Sequence, residues 1–322
     1  MKKTILMLST LLFIVCLNTG AWAHHAAVGM ATADAGPIKT IPASTLKQGS
    51  FGFDIQAEYI DLKRFSDEEL LGFAAAGNDV HSIDSVRHLF LSMGYGLTND
   101  LTLGLKLPYV SLKNIRASHA EEPEEVHNHG NSSGLGDLSI VARYRFIRAA
   151  DQGFEAALIG GIKAPTGETN VSDPDGERFE TEHQPGSGSW DPIIGLAATK
   201  KIGNVSLDGN ILYMIATKGS QETDLGDTLN LNVAVSWRAI QKEVSVDLVL
   251  EANAEWKQKQ KIGGVRDDNS GDTLLLLSPG LRLAFKNNMM AYVSAGFPVV
   301  QNLNGIQTET RTRTLFGFAV GF

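Results

Sequence analysis

Apolar and polar residues alternate along much of this chain in segments of about ten residues, and that period limits the folds it can adopt. In the segment 244–256, Leu248 and Leu250 fall on one face, whereas Asp247 and Glu251 fall on the other. A strand of a soluble protein is usually about five or six residues long, whereas a tilted strand needs about 9–11 residues to cross a bilayer. The pattern therefore predicts strands with one face toward lipid and the other toward a wet interior.

Twelve segments show this alternation, and an even number of antiparallel strands puts both ends of a barrel on the same side of the membrane. Short turns and longer loops alternate between them, as in outer-membrane barrels. The predicted fold is all-β: a transmembrane antiparallel up-and-down β-barrel of the outer-membrane type with about 12 strands. The segments are 51–62, 87–97, 101–113, 135–146, 154–164, 189–199, 205–215, 227–237, 244–256, 272–285, 290–298 and 310–322.

The N-terminus has the composition of an export signal. Residues 1–23 begin with a basic pair, continue with an apolar stretch and end in the small-x-small pattern that precedes cleavage, here after Ala23. Residues 24–49 have no alternating period, so we expect a flexible periplasmic segment there. The barrel then occupies residues 50–322, and the predicted location is the outer membrane of a Gram-negative cell.

Charge and cysteine content exclude several other classes of protein. The formal net charge is −8, which is unfavourable for binding nucleic acid because phosphate attraction requires basic patches. The single cysteine, Cys16, lies in the predicted signal, so the exported chain has neither a disulfide framework nor a thiolate metal site. The G-x-S-x-G pattern occurs at residues 130–134, but it falls in a predicted loop and not at the strand-to-helix turn that a nucleophile elbow requires. His129 and Ser132 are close in sequence within that loop and have no further supporting motif, so we expect no enzymatic activity.

Several stretches resemble the outer-membrane protein family named for the MetA pathway of phenol degradation. They are LGLKLPYV from Leu103, GLGDLSIVARYRF from Gly134, KAPTGE from Lys163 and GSGSWDPIIGLAATK from Gly186. The resemblance covers most of the exported chain and depends on turn and strand patterns, not on chemical sites. It implies a porin-like channel or transporter for passive uptake or efflux of small solutes, with aromatic or apolar compounds as candidates.

The last segment ends in an aromatic residue, Phe322, on an alternating strand. Such an ending resembles the assembly signal of outer-membrane barrels. We therefore expect Phe322 to be recognised by the barrel-assembly machinery. The assembled barrel is expected to contact outer-membrane lipids and a small-molecule solute.

Charged residues of both signs fall on the predicted lumen face. Rings of such residues set selectivity in pores, so they are candidates for that role. The alternative is that they pair across strands and fill the interior, because about twelve strands lie between packed barrels of about eight and open channels of about 16–18. We expect Arg311 and Arg313 of the closing strand to lie next to Asp54 and Glu58 of the first. The candidates are Asp54, Glu58, Lys106, Asp137, Arg143, Arg145, Asp247, Glu251, Arg282, Arg311 and Arg313.

The second long loop, 114–134, contains His119, His127 and His129 among several glutamates. Imidazoles and carboxylates together suit Zn²⁺, Cu²⁺ or Ni²⁺, so the loop is a candidate for weak surface binding of such an ion. The spacing matches no recognised metal motif, and a solvated acidic loop is the alternative. No other cofactor is expected.

The first long loop, 63–86, contains a capping box, in which Glu69 follows Ser66 by three residues ahead of an apolar run. It predicts a short helix from Asp67 to Ala76, which either covers the mouth of the barrel or is a solvated surface helix. A barrel with such loops could also be a structural or adhesion protein whose acidic, histidine-rich loops bind a partner or a transition-metal ion. Current steps across a bilayer distinguish a channel from that alternative.

Overall fold

The structure, a computed structural model, describes residues 35–322. The predicted signal with its cleavage site at Ala23 lies outside the described residues, and so do residues 24–34. Strands dominate the described part, and no helix in it is long and apolar enough to span a membrane.

Residues 35–322 contain seventeen strands and one α-helix, α1, which covers Asp67–Ala75. The strands are β1 (Phe51–Lys63), β2 (Val80–Ser82), β3 (Ser85–Thr98), β4 (Leu101–His119), β5 (Glu122–Leu135), β6 (Leu138–Ala149), β7 (Phe154–Ala164), β8 (Asp191–Ile202), β9 (Val205–Met214), β10 (Thr223–Asp224), β11 (Thr228–Ile240), β12 (Val244–Lys257), β13 (Lys261–Ile262), β14 (Val265–Arg266), β15 (Asp272–Phe285), β16 (Met289–Leu303) and β17 (Glu309–Gly321).

Twelve of these strands close into one antiparallel barrel, which confirms the predicted fold. The order around the wall is β1, β3, β4, β6, β7, β8, β9, β11, β12, β15, β16 and β17, and β17 pairs with β1 to complete the ring. Each alternating segment of the sequence falls on one of these strands. Phe51 and Phe322 extend the seam by exchanging backbone hydrogen bonds of 3.0 and 2.9 Å.

The two faces of the strands have opposite environments, as the alternation predicts. On β12, Leu248 and Leu250 are each 47% exposed on the outside, whereas Asp247 and Glu251 are fully buried inside. Exposed apolar side chains on the outer face suit lipid. The short turns, such as 99–100 between β3 and β4, gather at one end, which in outer-membrane barrels is the periplasmic end.

Residues 35–50, called the strap here, precede β1. Residues 35–46 are buried or half-buried inside the barrel, whereas residues 47–49 are exposed where the chain approaches β1. Their backbone passes over Gly96, where a Cβ atom would be 2.0 Å from the carbonyl oxygen of Lys47. Ile41 and Ala43 of the strap are buried. Residues 35–49 are therefore not the flexible periplasmic segment that we expected. That expectation came from the missing local period, whereas the residues that hold the strap lie on distant strands.

The loop expected at 114–134 is instead a β-hairpin. β4 continues past the wall to His119, and β5 returns beside it from Glu122. Ile115 and Ala117 of β4 are fully buried, whereas residues 121–125 are all exposed. A two-stranded ladder that packs against neighbouring elements needs only one buried face. β4 supplies the buried residues here, so β5 forms a strand although its polar composition shows no alternating pattern.

Helix α1 begins at the capping box that the sequence predicts and packs against the hairpin. Ser66 Oγ accepts a hydrogen bond from Glu69 N at 3.2 Å, and Ser66 N donates to Glu69 Oε2 at 2.7 Å. Leu70 and Ala74 are the buried side chains of the helix, on the side that contacts β4 and β5.

Residues 165–190, called the mouth loop here, connect β7 to β8 and fold into the long-loop end of the barrel. Phe179 of this loop is buried in an apolar cluster with Ile60 and Leu62 of β1 and with Ile115 of β4. The end opposite the strap is therefore filled by a second segment of the chain.

Candidate functional site: the lumen and its external vestibule

The strap is held by wall side chains and not by a backbone ladder. The amides of Ile38, Lys39 and Thr40 converge on the carboxylate of Glu251 at 2.9–3.2 Å. Glu251 is fully buried on β12, so its charge is stabilised by main-chain N–H donors that the strap supplies. This candidate for selectivity is therefore engaged by the chain itself.

Further bonds fasten the rest of the strap across the lumen. The acceptors for the strap amides are side chains of β9, β8 and β4. In addition, Arg143 of β6 donates a hydrogen bond to a carbonyl of the strap. The bonds are Ile41 N to Asn210 Oδ1 (2.8 Å), Ala43 N to Thr199 Oγ1 (2.9 Å), Leu46 N to Thr102 Oγ1 (2.8 Å) and Arg143 Nη1 to Pro42 O (3.2 Å).

The charged lumen residues occur mostly beside groups of opposite charge or polar partners. Glu58 lies 3.0 Å from His88 Nδ1, 4.0 Å from Lys39 Nζ and 3.9 Å from Arg313 Nε. Arg313 Nη1 in turn donates to Glu255 Oε2 at 3.3 Å. These contacts correspond to the interior-filling alternative, in which lumen charges pair across strands.

The other lumen candidates have partners of the same kind. Asp54 accepts from the Tyr292 hydroxyl, Asp247 is placed between two arginines, Lys106 covers an aromatic ring, and Arg145 is bound at the short-turn end. The distances are Tyr292 Oη–Asp54 Oδ2 2.6 Å, Arg238 Nε–Asp247 Oδ1 2.6 Å, Arg282 Nη1–Asp247 Oδ2 3.4 Å, Lys106 Nζ–Phe90 ring centroid 3.7 Å, Arg145 Nη2–Asp100 Oδ1 2.8 Å and Arg145 Nη1–Glu155 Oε1 2.7 Å.

Arg311 differs from Arg313. Arg313 is buried, whereas Arg311 is exposed and forms no ion pair among residues 35–322. The register between β1 and β17 passes from Asp61↔Thr312 to Leu62↔Thr310 and skips Arg311, which is therefore a bulge residue. A bulge breaks the alternation of faces, so the expectation that both arginines lie beside the acidic residues of β1 is wrong for Arg311.

Asp137 fastens the base of the mouth loop. Its Oδ2 accepts from Ser187 N at 2.8 Å and from Ser187 Oγ at 2.6 Å, while Oδ1 accepts from Gly167 N at 3.0 Å. Lys163 Nζ lies 3.4 Å from Asp137 Oδ2 and 2.6 Å from Asp191 Oδ2. Both ends of the loop are thus tied to one buried carboxylate.

A cavity of about 400 Å³, called the vestibule here, opens at the long-loop end of the barrel. Apolar side chains such as Leu62, Ile83 and Leu274 form part of its lining. The ionisable groups of the lining are mostly acidic. They are Asp79, Glu180, Glu182, Asp267, Asp272 and Lys257, together with the imidazoles of His81 and His183.

Five histidines from three external segments follow one another along the mouth of the barrel. The ring centroids are separated by 4.7 Å from His183 to His81, 6.4 Å from His81 to His119, 5.2 Å from His119 to His127 and 6.3 Å from His127 to His129. Burial, reinforced by the nearby charges of His81 and His129, holds the pKa of His183 well below its ordinary value. The His183 imidazole is therefore neutral at neutral pH.

The three histidines predicted as metal ligands have separate carboxylate neighbours. His119 Nδ1 lies 3.7 Å from Asp79, His127 Nε2 lies 3.0 Å from Glu122, and His129 Nδ1 lies 2.8 Å from Asp173. Within residues 35–322, the groups whose ligand atoms converge are His81 with Glu182 and His183, and Glu122 with Glu125 and His127. Spacing along the chain missed the first group because it joins two different loops.

Comparison with known proteins agrees with this geometry. The model of the family described as MetA-pathway of phenol degradation matches residues 44–302, which confirms the resemblance. Among solved structures, the COG4313 outer membrane channel from Pseudomonas putida F1 has a TM-score of 0.59 at 17% identity and covers 87% of this chain and 98% of its own. The NanC porin (TM-score 0.45, 9% identity, 83% and 98%) and a Pseudomonas aeruginosa FadL homologue (0.41, 12%, 96% and 98%) are more distant. A search of curated proteins found no match.

Proposed function

The chain belongs to the family described as MetA-pathway of phenol degradation, and on that premise we propose that it is an outer-membrane channel for small aromatic solutes. The family model matches more than half of the chain, from residue 44 to residue 302. The proposed solute class comes from the family's description, which names phenol. Passive transport, and not catalysis, is the proposed activity.

One observation carries the channel proposal: some polar atoms of the lumen wall have no hydrogen-bond partner within residues 35–322. Asn230 Oδ1 and Ser236 Oγ, both on the lumen face of β11, are buried and unpartnered among the described residues. Leaving a buried polar group unsatisfied costs roughly 1–3 kcal/mol, so such atoms favour a lumen that admits water or a solute hydroxyl. A barrel filled only as a scaffold would satisfy them with protein groups.

The vestibule supports the proposed solute class. Its volume of about 400 Å³ falls within the range of small-molecule sites, roughly 300–1,000 Å³. A phenol has an apolar ring and one hydroxyl. The lining offers Leu62, Ile83 and Leu274 to the ring, and carboxylates such as Asp272 to the hydroxyl.

Planar-bilayer recording of the purified protein tests both parts of the proposal. We expect stepwise single-channel current, and we expect phenol added on the long-loop side to reduce the mean current as its concentration rises. An absence of current steps at high protein concentration would overturn the channel proposal. Current that phenol leaves unchanged would overturn the solute class.

A pair of tryptophan variants localises the effect of phenol. Thr308 lines the vestibule, whereas Val265 is 73% exposed in the β13–β14 hairpin and does not line it. We expect Thr308→Trp to narrow the vestibule and weaken the block by phenol, and Val265→Trp to leave the block unchanged. Equal responses would place phenol elsewhere in the barrel.

A second candidate function is binding of a partner by the external hairpin. It is favoured by the exposure of residues 121–125, which include four carboxylates on a strand that extends beyond the wall. A barrel devoted to adhesion would give no current steps, so the same recording separates the two functions.

Export and assembly complete the proposal. We propose that residues 1–23 direct export and are removed after Ala23, and that Phe322 is recognised by the barrel-assembly machinery. N-terminal sequencing of protein from the outer membrane tests the cleavage. Deleting Phe322 is expected to lower the amount of heat-modifiable barrel in the outer membrane while export continues, and wild-type amounts would contradict that role.

A further inference from the structure

Three side chains of the vestibule bring metal-ligand atoms close together. One nitrogen from each of His81 and His183 and one carboxylate oxygen of Glu182 lie within 4.8 Å of one another. Zn²⁺ binds nitrogen and oxygen at about 2.0–2.1 Å, so two ligands of one tetrahedral ion are about 3.3 Å apart. Movements of about 1.5 Å or less would therefore close these three groups on an ion.

The carboxylate of Glu182 is already oriented for this role. The side-chain amide of Gln260 donates to Glu182 Oε2 and, at 2.9 Å, to Asp267 Oδ2. Glu182 Oε1 lies 3.7 Å from His183 Nε2 and faces the imidazoles. Ligating carboxylates in metal sites are commonly held by such a hydrogen bond, which fixes their direction.

Both histidines come from ordered elements. His81 lies on β2, which pairs with β4. His183 ends a single 3-10 turn that begins at Thr181, and Thr181 Oγ1 donates to the carbonyl of Ser220 at 2.9 Å. Ligands on supported elements lose little freedom when an ion binds, which favours binding.

The charge of the vestibule suits a cation. Five carboxylates line it against one lysine, Lys257. An excess of negative charge in a cleft raises the local concentration of cations before any of them is bound. A neutral phenol has one hydroxyl and uses one carboxylate at most, so the other carboxylates of the lining are not explained by the proposed transport.

We propose that His81, Glu182 and His183 bind a divalent transition-metal ion, with Zn²⁺ as the representative, in the vestibule. Two imidazoles and one carboxylate, with a further position open to water, form a donor set that Zn²⁺ accepts. His81 belongs to the connection between α1 and β3, whereas Glu182 and His183 belong to the mouth loop. A bound ion therefore links the two segments across the vestibule. The proposal does not depend on which solute the barrel carries.

The external hairpin holds a competing group, Glu122, Glu125 and His127. Both of its carboxylates are exposed, whereas His183 is buried and Glu182 is held by Gln260. Ordering exposed side chains costs conformational entropy, so we expect weaker binding at the hairpin than in the vestibule.

Isothermal titration calorimetry of tag-free, detergent-solubilised protein with ZnCl₂ tests the proposal. We expect one tight Zn²⁺ site in the wild type, and we expect His81→Gln and Glu182→Gln each to weaken it at least about tenfold. The matched control is His127→Gln, which changes a histidine of the hairpin and is expected to leave the tight site unchanged. Tight binding that survives both vestibule variants overturns the proposal, and so does its loss in the control.

The N-terminal histidines need their own control. Since His24 and His25 would begin the exported chain, a His24→Ala/His25→Ala variant is expected to keep the tight site, and loss of binding there would overturn the assignment.

A measurement on the wild type tests the site without requiring any variant to assemble. Diethyl pyrocarbonate modifies accessible imidazoles, and mass spectrometry locates the modified residues. We expect Zn²⁺ to slow modification of the half-buried His81 and to leave His119, which is outside the proposed site, unchanged. Equal modification of His81 with and without Zn²⁺ overturns the proposal.

Discussion

The two ends of the lumen are closed by different chemistry. Toward the short-turn end, Thr102 and Thr199 of the wall hydrogen-bond to the backbone of the strap, and Glu251 does so halfway along β12. At the opposite end, the mouth loop buries Phe179 in an apolar cluster and is tied at its base to Asp137. Replacing a protein hydrogen bond with one to water costs a net free energy of about 0.5–1.5 kcal/mol. Exposing buried apolar surface costs about 25 cal/mol per Å². Ile38, Ile41 and Ala43 of the strap are also buried among apolar wall residues, so the two closures differ in their polar attachments, and each is held by its own set of residues.

Removal of the strap is the largest expected change. A chain lacking residues 35–46 loses the bonds to Glu251, Asn210, Thr199 and Thr102, so we expect its single-channel conductance to rise several-fold. Deleting residues 24–33 instead keeps the strap and is expected to leave the conductance as in the wild type. A strapless barrel with unchanged conductance would show that the strap does not restrict the path.

Truncation of Phe179 tests the other closure. Replacing a buried phenylalanine with alanine costs about 3–5 kcal/mol, so hydrogen–deuterium exchange across residues 168–184 should be faster by an order of magnitude or more. Exchange within the strap should not change. The control is Phe146→Ala, which removes a ring that is 51% exposed on β6. Faster exchange in the strap as well would mean that the two closures open together and not independently.

Neutralising Glu251 should affect only the strap. Glu251→Gln replaces charge-assisted bonds with neutral ones, a loss of about 2 kcal/mol, which corresponds to about thirtyfold in the opening equilibrium. We expect more frequent full-conductance openings, with unchanged deuterium exchange in the mouth loop. Glu124→Gln, which removes an exposed carboxylate of the hairpin, serves as the control. Similar opening frequencies in the two variants would contradict a role for Glu251 in holding the strap.

The smallest expected effect concerns the two arginines of β17. Arg313→Gln leaves Glu58 and Glu255 without a nearby guanidinium, so the reversal potential in a salt gradient should shift toward cation selectivity. Arg311→Gln should shift it less, because Arg311 is an exposed bulge residue. A larger shift from Arg311 would mean that ions are selected at the mouth of the barrel and not beside the strap.

The strands could be predicted from sequence because the residues of each strand show by themselves which face contacts lipid and which faces the lumen. Segment 51–62 alternates between lipid-facing and lumen-facing residues, and β1 runs from Phe51 to Lys63. A period of two needs no knowledge of the neighbouring strands. The same rule misplaced Arg311, because a one-residue bulge changes the face and leaves no mark on the composition.

The strap and the vestibule histidines could not be predicted in this way. Ile38 is 213 positions from Glu251 in sequence, and Ala43 is 156 positions from Thr199. The strap has no period of its own, because its contacts follow the shape of the barrel that surrounds it. His81 and Glu182 likewise meet only because two separate loops fold over the same opening.

The strap also changes how flux should depend on solute concentration. It is joined to β1, so it is present at the lumen at an effective concentration of about millimolar, which is typical of a short flexible connection. A tethered segment of this kind behaves as a built-in competitive inhibitor whose amount cannot be diluted. A solute must therefore compete with it for the lumen at every concentration outside. If the barrel conducts as proposed, solute flux should saturate as it does through a carrier, with a half-saturation point set by the affinity of the strap for its own wall.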